Sequence, residues 1–184
     1  ILSDIDRDWG DEKIHELGLV GLGEPTLDKR WSQHLGIISE YAHRFDRISL
    51  NSNLVSLNAK KSKEVLGSAV NAFTFSINAS NRDHYLDMMG TDQFDRVVEN
   101  FTHFLKALQE AKKDVSIDVQ VFDSEKSSVE ELIQFFPSAC DQEVNFFPRK
   151  VYSKPVIKEG SEVVNLHVPD RDQRYPCWDI YTRI

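Results

Sequence analysis

Short apolar runs of strand character alternate with amphipathic helical stretches at least four times between Ile14 and Phe147, and this alternation limits the possible folds more than any other feature of the chain. Strands joined by a helix-length connection pair in parallel, because a crossover of that length returns the chain to the same end of the sheet. The strand-like runs are 14–21, 47–50, 72–77, 115–122 and 143–147. Helical spacing marks 1–9, 27–45, 59–66, 85–89, 91–111 and 128–136. In the longest of these, Phe94, Val97, Val98, Phe101, Phe104, Leu105 and Leu108 form one core-facing stripe, and Asp92 is the expected cap. The pattern predicts an α/β fold built on a parallel sheet, open or curled into a barrel.

A chain of 184 residues can bury a sizeable core within one domain. Lys and Arg number 22 against 30 acidic residues, and the formal charge of −8 argues against broad binding to nucleic acid or anionic membranes. No apolar run approaches the ~20 residues that span a bilayer, and no basic-then-apolar leader opens the sequence, so the cytosol is the expected location. Cys140 and Cys177 lie too far apart for a CxxC metal site and are too few for a disulfide framework. The βα rhythm stops near Pro148. Residues 1–148 therefore read as the sheet domain, and 149–184, rich in charge and proline, as an irregular C-terminal extension. The first helix begins at Ile1 without Met and the last run, 178–184, is apolar and aromatic, which predicts a piece cut from a longer protein.

Parallel α/β folds bind ligands at the carboxyl ends of their strands. The first such end carries Gly21-Leu22-Gly23-Glu24-Pro25-Thr26, the second Asn51-Ser52-Asn53, and the third Ser76 and Asn78 followed by Ser80 and Asn81. Asp123-Ser124-Glu125 and Pro148-Arg149-Lys150 follow the fourth and fifth. Glycines let a backbone approach a ligand, the bare carbonyls and the Glu24 carboxylate accept hydrogen bonds from an ammonium group, and Pro25 fixes the exit of the loop. The plainer alternative is a strand-to-helix turn with Glu24 in solvent. Asp118, Asp123 and Glu125 read as solvated loop charge, and Arg149–Lys150 as an exposed basic pair or a partner for a substrate carboxylate. The six histidines show no metal-ligand spacing.

In order, these strand-end motifs and the segment Tyr85-Leu86-Asp87-Met88-Met89-Gly90-Thr91-Asp92-Gln93-Phe94 that follows resemble the radical S-adenosylmethionine (SAM) family across about residues 15–147. The family's second barrel strand ends in a Gly-Gly-Glu or Gly-Glu-Pro motif that contacts the amino group of SAM. By resemblance it falls on Gly21, Gly23, Glu24 and Pro25, with Leu22 in place of one glycine. The family's Thr-Asn-Gly falls on Ser52-Asn53-Leu54, where only Asn53 is kept. Ser76 and Asn78 match the polar end of the next strand, which contacts the SAM ribose or carboxylate. Residues 119–125 take the place of the adenine-contacting strand but lack its glycine pattern. The resemblance implies a partial (β/α) TIM-like barrel missing its first βα unit. Its parent would bind a 4Fe–4S cluster and SAM, and generate a 5′-deoxyadenosyl radical for hydrogen abstraction.

The family's CxxxCxxC loop has no counterpart within the 184 residues. A cluster needs closely set thiolates, so neither cofactor is expected on this chain alone, which is expected to be inactive, and no residue is assigned a catalytic role. The segment Tyr175-Pro176-Cys177-Trp178-Asp179-Ile180 resembles the start of a SPASM-type extension. That likeness implies Cys177 as an auxiliary-cluster ligand in the parent and a peptide or protein substrate; a lone buried cysteine is the alternative. Two other classes remain open. One is an aldolase-like or phosphate-binding barrel, which the helical placement of Lys60, Lys61 and Lys63 disfavours. The other is a non-catalytic degenerate barrel acting as a binding module.

Overall fold

The computed structural model of the chain describes residues 2–8, 12–20, 23–123, 128–136 and 143–150. The chain divides into two units, Ile1–Lys150 and Val151–Ile184, and the described elements all belong to the first. The fold is α/β, with one five-stranded sheet in the order β1-β2-β3-β4-β5 and every neighbouring pair parallel. The strands are β1 (Ile14–Leu19), β2 (Phe45–Ser52), β3 (Ala72–Ser76), β4 (Ser116–Asp123) and β5 (Asn145–Lys150). The last runs past the expected boundary at 148. The helices are α1 (Leu2–Asp8), α2 (Trp31–Glu40), α3 (Ala59–Leu66), α4 (Arg82–Met89), α5 (Phe94–Ala111) and α6 (Val129–Ile133).

A sheet whose strands follow one another in sequence order advances in one direction, and right-handed crossovers then put all connecting helices on one face. Accordingly α2 packs on α3, α3 on α5 and α4 on α5. Under this layer lie Leu19, Leu50, Phe73 and Ile117, aligned across four strands, and the next row holds Ser52, Phe75, Val119 and Phe146. Phe73, Phe75, Phe101 and Phe104 are fully buried, and edge-to-face contacts join the strand rings to those of α5.

The opposite face has a different chemistry. Between an apolar pair at its start, Ile14–Phe45, and Phe122–Arg149 at its end, its rows are Glu16–Arg47, then Gly18–Ser49–Ala72–Ser116, then Asn51–Thr74–Asp118–Asn145, then Ser76–Gln120–Phe147. Asn51, Thr74, Ser76, Asp118 and Gln120 are half-buried. Parallel sheets ordinarily hide apolar side chains on both faces; this one keeps a face of hydroxyls, amides and a carboxylate. Asp118, expected in a solvated loop, sits inside β4 and accepts from Asn145 Nδ2 at 2.9 Å.

The expected helix 27–45 is divided. Pro25–Leu27 is a 3₁₀ turn, α2 follows, and a second 3₁₀ turn at Ala42–Arg44 leads directly into β2. Trp31, Leu35 and Ile38 are buried at their helical spacing as expected. Asp92 does not cap α5. The N-cap is Gln93 without a side-chain bond, and Asp92 pairs with Arg82, whose Nε donates to it at 2.8 Å.

Beyond β2, Leu54 adopts φ 67°, a left-handed conformation that glycine takes freely and leucine rarely does. Such strain persists where neighbours over-determine it. Here the carbonyl of Leu54 accepts from Asn100 Nδ2 at 2.7 Å, the same amide reaches the carbonyl of Val55 at 3.2 Å, and the Leu54 side chain is fully buried. Asn100→Ala is expected to cost about 1–2 kcal/mol by leaving these carbonyls without their donor. A urea titration reads it as a lower midpoint at unchanged slope.

Candidate functional site

Of the residues singled out in the first strand-end loop, Gly23, Glu24 and Pro25 are described, while Gly21 lies outside the described residues. Cys177, the auxiliary-cluster residue, also lies outside them, as does Cys140. Pro25 opens the 3₁₀ turn at its first position, where a missing N–H costs nothing. Glu24 is the cap of that turn.

Glu24 is not a solvated turn carboxylate. Its Oε1 accepts from the Thr26 amide at 3.2 Å, the Thr26 hydroxyl at 2.5 Å and the Ser52 hydroxyl at 2.9 Å. Its Oε2 accepts from the Asn53 amide at 2.7 Å. The carboxylate thus ties the end of β1 to the end of β2 and brings Glu24 and Asn53 together. Asn53 contributes its backbone there, because its side-chain Oδ1 accepts from the Val55 amide at 3.0 Å. Around this centre, Thr26 is fully buried and its hydroxyl contacts that of Ser56. Lys61 Nζ donates to the Thr26 carbonyl at 2.5 Å.

Ser76 and Asn78 stand at the end of β3, the next strand across. Ser76 is half-buried on the polar face, in register with Gln120. Asn78 takes φ 70°, a left-handed turn that asparagine tolerates well, with its amide donating to the Gln120 carbonyl at 3.2 Å. Its Nδ2 lies 3.5 Å from Met89 Sδ, so the end of α4 stands over this strand end. Further along, the carboxylate of Glu131 accepts from the hydroxyl of Ser80 and the amide of Asn81, fastening α6 to the loop after β3.

Sequence reasoning missed Ser52, Thr26, Ser56 and Lys61 as members of the Glu24 cluster. The contacts of Ser52, Ser56 and Lys61 join residues about thirty apart in the chain, so only the abundance of hydroxyls around the strand ends signals them, whereas Thr26 bonds Glu24 two residues away within the capped turn. Lys61, on α3, is engaged with a backbone carbonyl of the candidate loop.

A cavity of about 660 Å³ adjoins the same loop. It runs between β1 and α2 and is walled by Leu19, Val20, Leu27, Trp31, Leu35 and Ile38, with Glu24, Asp28 and His34 also on its lining. Asp28 is held below the usual carboxylate range, first by the Arg30 amide at 2.7 Å and next by His34, whose Nδ1 lies 3.1 Å away.

Among the described residues, no group of three or more His, Cys, Asp and Glu is placed to hold a metal ion, and no helix is long and apolar enough to cross a membrane. Fold and site together define an α/β protein with an all-parallel sheet, a polar sheet face and a carboxylate-centred cluster at its strand ends. Compared with models of protein families, with curated proteins and with solved structures, the chain matches none.

Proposed function

We propose that this chain is the central part of a radical SAM enzyme, its five strands forming an arc of a (β/α) barrel whose lumen is the polar sheet face. The observation that carries the reading is that polar face; at its strand ends, on the side where Ser52 joins the Phe75–Val119–Phe146 row, the Glu24 carboxylate is fixed with one oxygen receiving a single bond among the described residues. A parallel sheet with one polar face is accounted for when that face lines a ligand-bearing lumen rather than a second helical layer. The left-handed backbone at Leu54 adds support, since the family's motif places a glycine there.

In this reading Glu24 accepts from the ammonium group of SAM. Gly21 and Gly23 let the backbone come close, Pro25 sets the loop, and Asn53, Ser76 and Asn78 line the rest of the binding wall. These neutral and acidic groups suit a ligand that carries an ammonium. Two cysteines cannot hold a 4Fe–4S cluster, so the residues of this chain do not fit that group, and its thiolates belong to a segment preceding Ile1 in the parent. In the parent, SAM held by these residues and given one electron by the cluster would supply a 5′-deoxyadenosyl radical, with methionine as the other product; the chain's own work is to bind, orient and exclude water. A SPASM-type extension bearing Cys177, a peptide or protein substrate and a cytoplasmic setting belong to the same proposal.

The test is the parent protein. Its ~40 residues before Ile1, a length typical of one βα unit, are expected to hold three cysteines spaced CxxxCxxC. The protein purified without oxygen is expected to cleave SAM to 5′-deoxyadenosine under reduction. A parent with no such cysteines, or with a cluster and no cleavage, overturns the proposal.

A further inference from the structure

From the hydrogen-bond directions around Glu24 we infer that Ser56 is a positioning residue, the head of a one-way donor chain that leaves Oε2 as the only ligand-facing oxygen. The Thr26 hydroxyl has a single proton, and it goes to Glu24 Oε1. The hydroxyl contact between Thr26 and Ser56 therefore has Ser56 as its donor. The Ser52 hydroxyl also spends its proton on Oε1, and receives the Leu54 amide at 3.0 Å. Among the described residues, three donors saturate Oε1, whereas Oε2 receives only the Asn53 amide. The carboxylate is thereby locked in rotation, and an incoming ammonium meets one oxygen. Lys61 fixes the same turn by holding the Thr26 carbonyl. The positioning itself stands on these contacts alone; its effect on SAM rests on the proposed function.

Carbon-13 NMR of the glutamate carboxyls in the 184-residue chain tests the first part. Ser56→Ala is expected to move the Glu24 carboxyl signal at neutral pH, Ser56→Thr to restore it, and Thr26→Val to move it further than Ser56→Ala. Thr26→Ser keeps the hydroxyl and is expected to leave the Glu24 signal in place, and Thr26→Ala removes the donor if the valine variant does not fold. A folded Ser56→Ala chain with an unmoved Glu24 signal overturns the inference. In the cluster-bearing parent, Ser56→Ala is expected to raise KM for SAM about fivefold, the scale of one weakened hydrogen bond to a charged group, with kcat kept and Ser56→Thr restoring KM. A moved signal with unchanged KM overturns the role of Ser56 toward the ligand. A moved signal in a parent that neither binds nor cleaves SAM upholds the positioning and overturns the radical SAM reading instead.

Discussion

Phe104→Ala is expected to destabilise the chain by about 3–5 kcal/mol, the range for deleting a fully buried aromatic side chain. Phe104 is the point where α5 meets the sheet. Its ring lies 4.9 Å from Phe73 and 4.9 Å from Phe75, both edge-to-face, and 6.5 Å from Phe101, stacked, so truncation removes three aromatic contacts as well as buried area. The pocket it fills is walled by strand residues that the parallel ladder holds in place, so the void collapses only partly. A domain of ordinary stability has about 5–15 kcal/mol in all, and the loss takes a large share of it. A urea melt at unchanged slope measures the loss. Phe135→Ala supplies the contrast, because Phe135 is 46% exposed and meets the core only at its edge, through ring contacts with Phe94 at 5.7 Å and with its neighbour Phe136 at 6.4 Å. Equal losses in the two variants would mean that α5 does not seat on the sheet through Phe104.

That α5 was legible in the sequence, while α2 was only partly so, has a physical cause. The stripe from Phe94 to Leu108 belongs to one helix of 18 residues whose spacing never breaks. Helix α3 was legible to the residue, since Asn58 caps it through the Lys61 amide at 3.1 Å and Gly67 ends it. The stretch 27–45 keeps helical spacing through Ala42, yet Phe45 is already in a strand. Two 3₁₀ turns preserve the direction of the apolar side chains without preserving the α-helix. Asp92 carried a cap signal, but Arg82 lies close enough to claim it, and that proximity is tertiary. Asp118 looked like loop charge because alternation in β4 leaves every second residue polar; which face those residues reach is settled only by pairing with β3 and β5. At the site, the acid, the proline and the strand-end asparagine were visible as residue types. The bonds that fix the acid join Glu24 to Ser52 and Asn53, and Thr26 to Ser56 and Lys61, across connections whose lengths no local pattern reports.

Glu24→Gln is the substitution that separates charge from shape at this point. The amide oxygen can take the place of Oε1 and still receive the Thr26 and Ser52 hydroxyls. Its NH₂ then stands where Oε2 stood, facing the Asn53 amide, which donates across 2.7 Å in the native chain. Two donors in opposition cannot bond, and turning the amide over sets NH₂ against three donors instead of one. Either way the ends of β1 and β2 lose a charge-assisted link, at a cost of about 2–3 kcal/mol. Hydrogen exchange places the damage: the Asn53 amide is expected to lose protection, while the Phe73 and Phe75 amides of β3 are protected as before. Under the proposed radical SAM reading, the same change in the parent removes the acceptor assigned to the ammonium group of SAM, so saturation with SAM is expected to fail even where the fold survives. Because a turned-over glutamine amide can keep the Asn53 bond, Glu24→Ala is the deciding variant: full protection of Asn53 in it would mean that Glu24 does not join the two strand ends, and an ammonium would then have no fixed carboxylate to meet there.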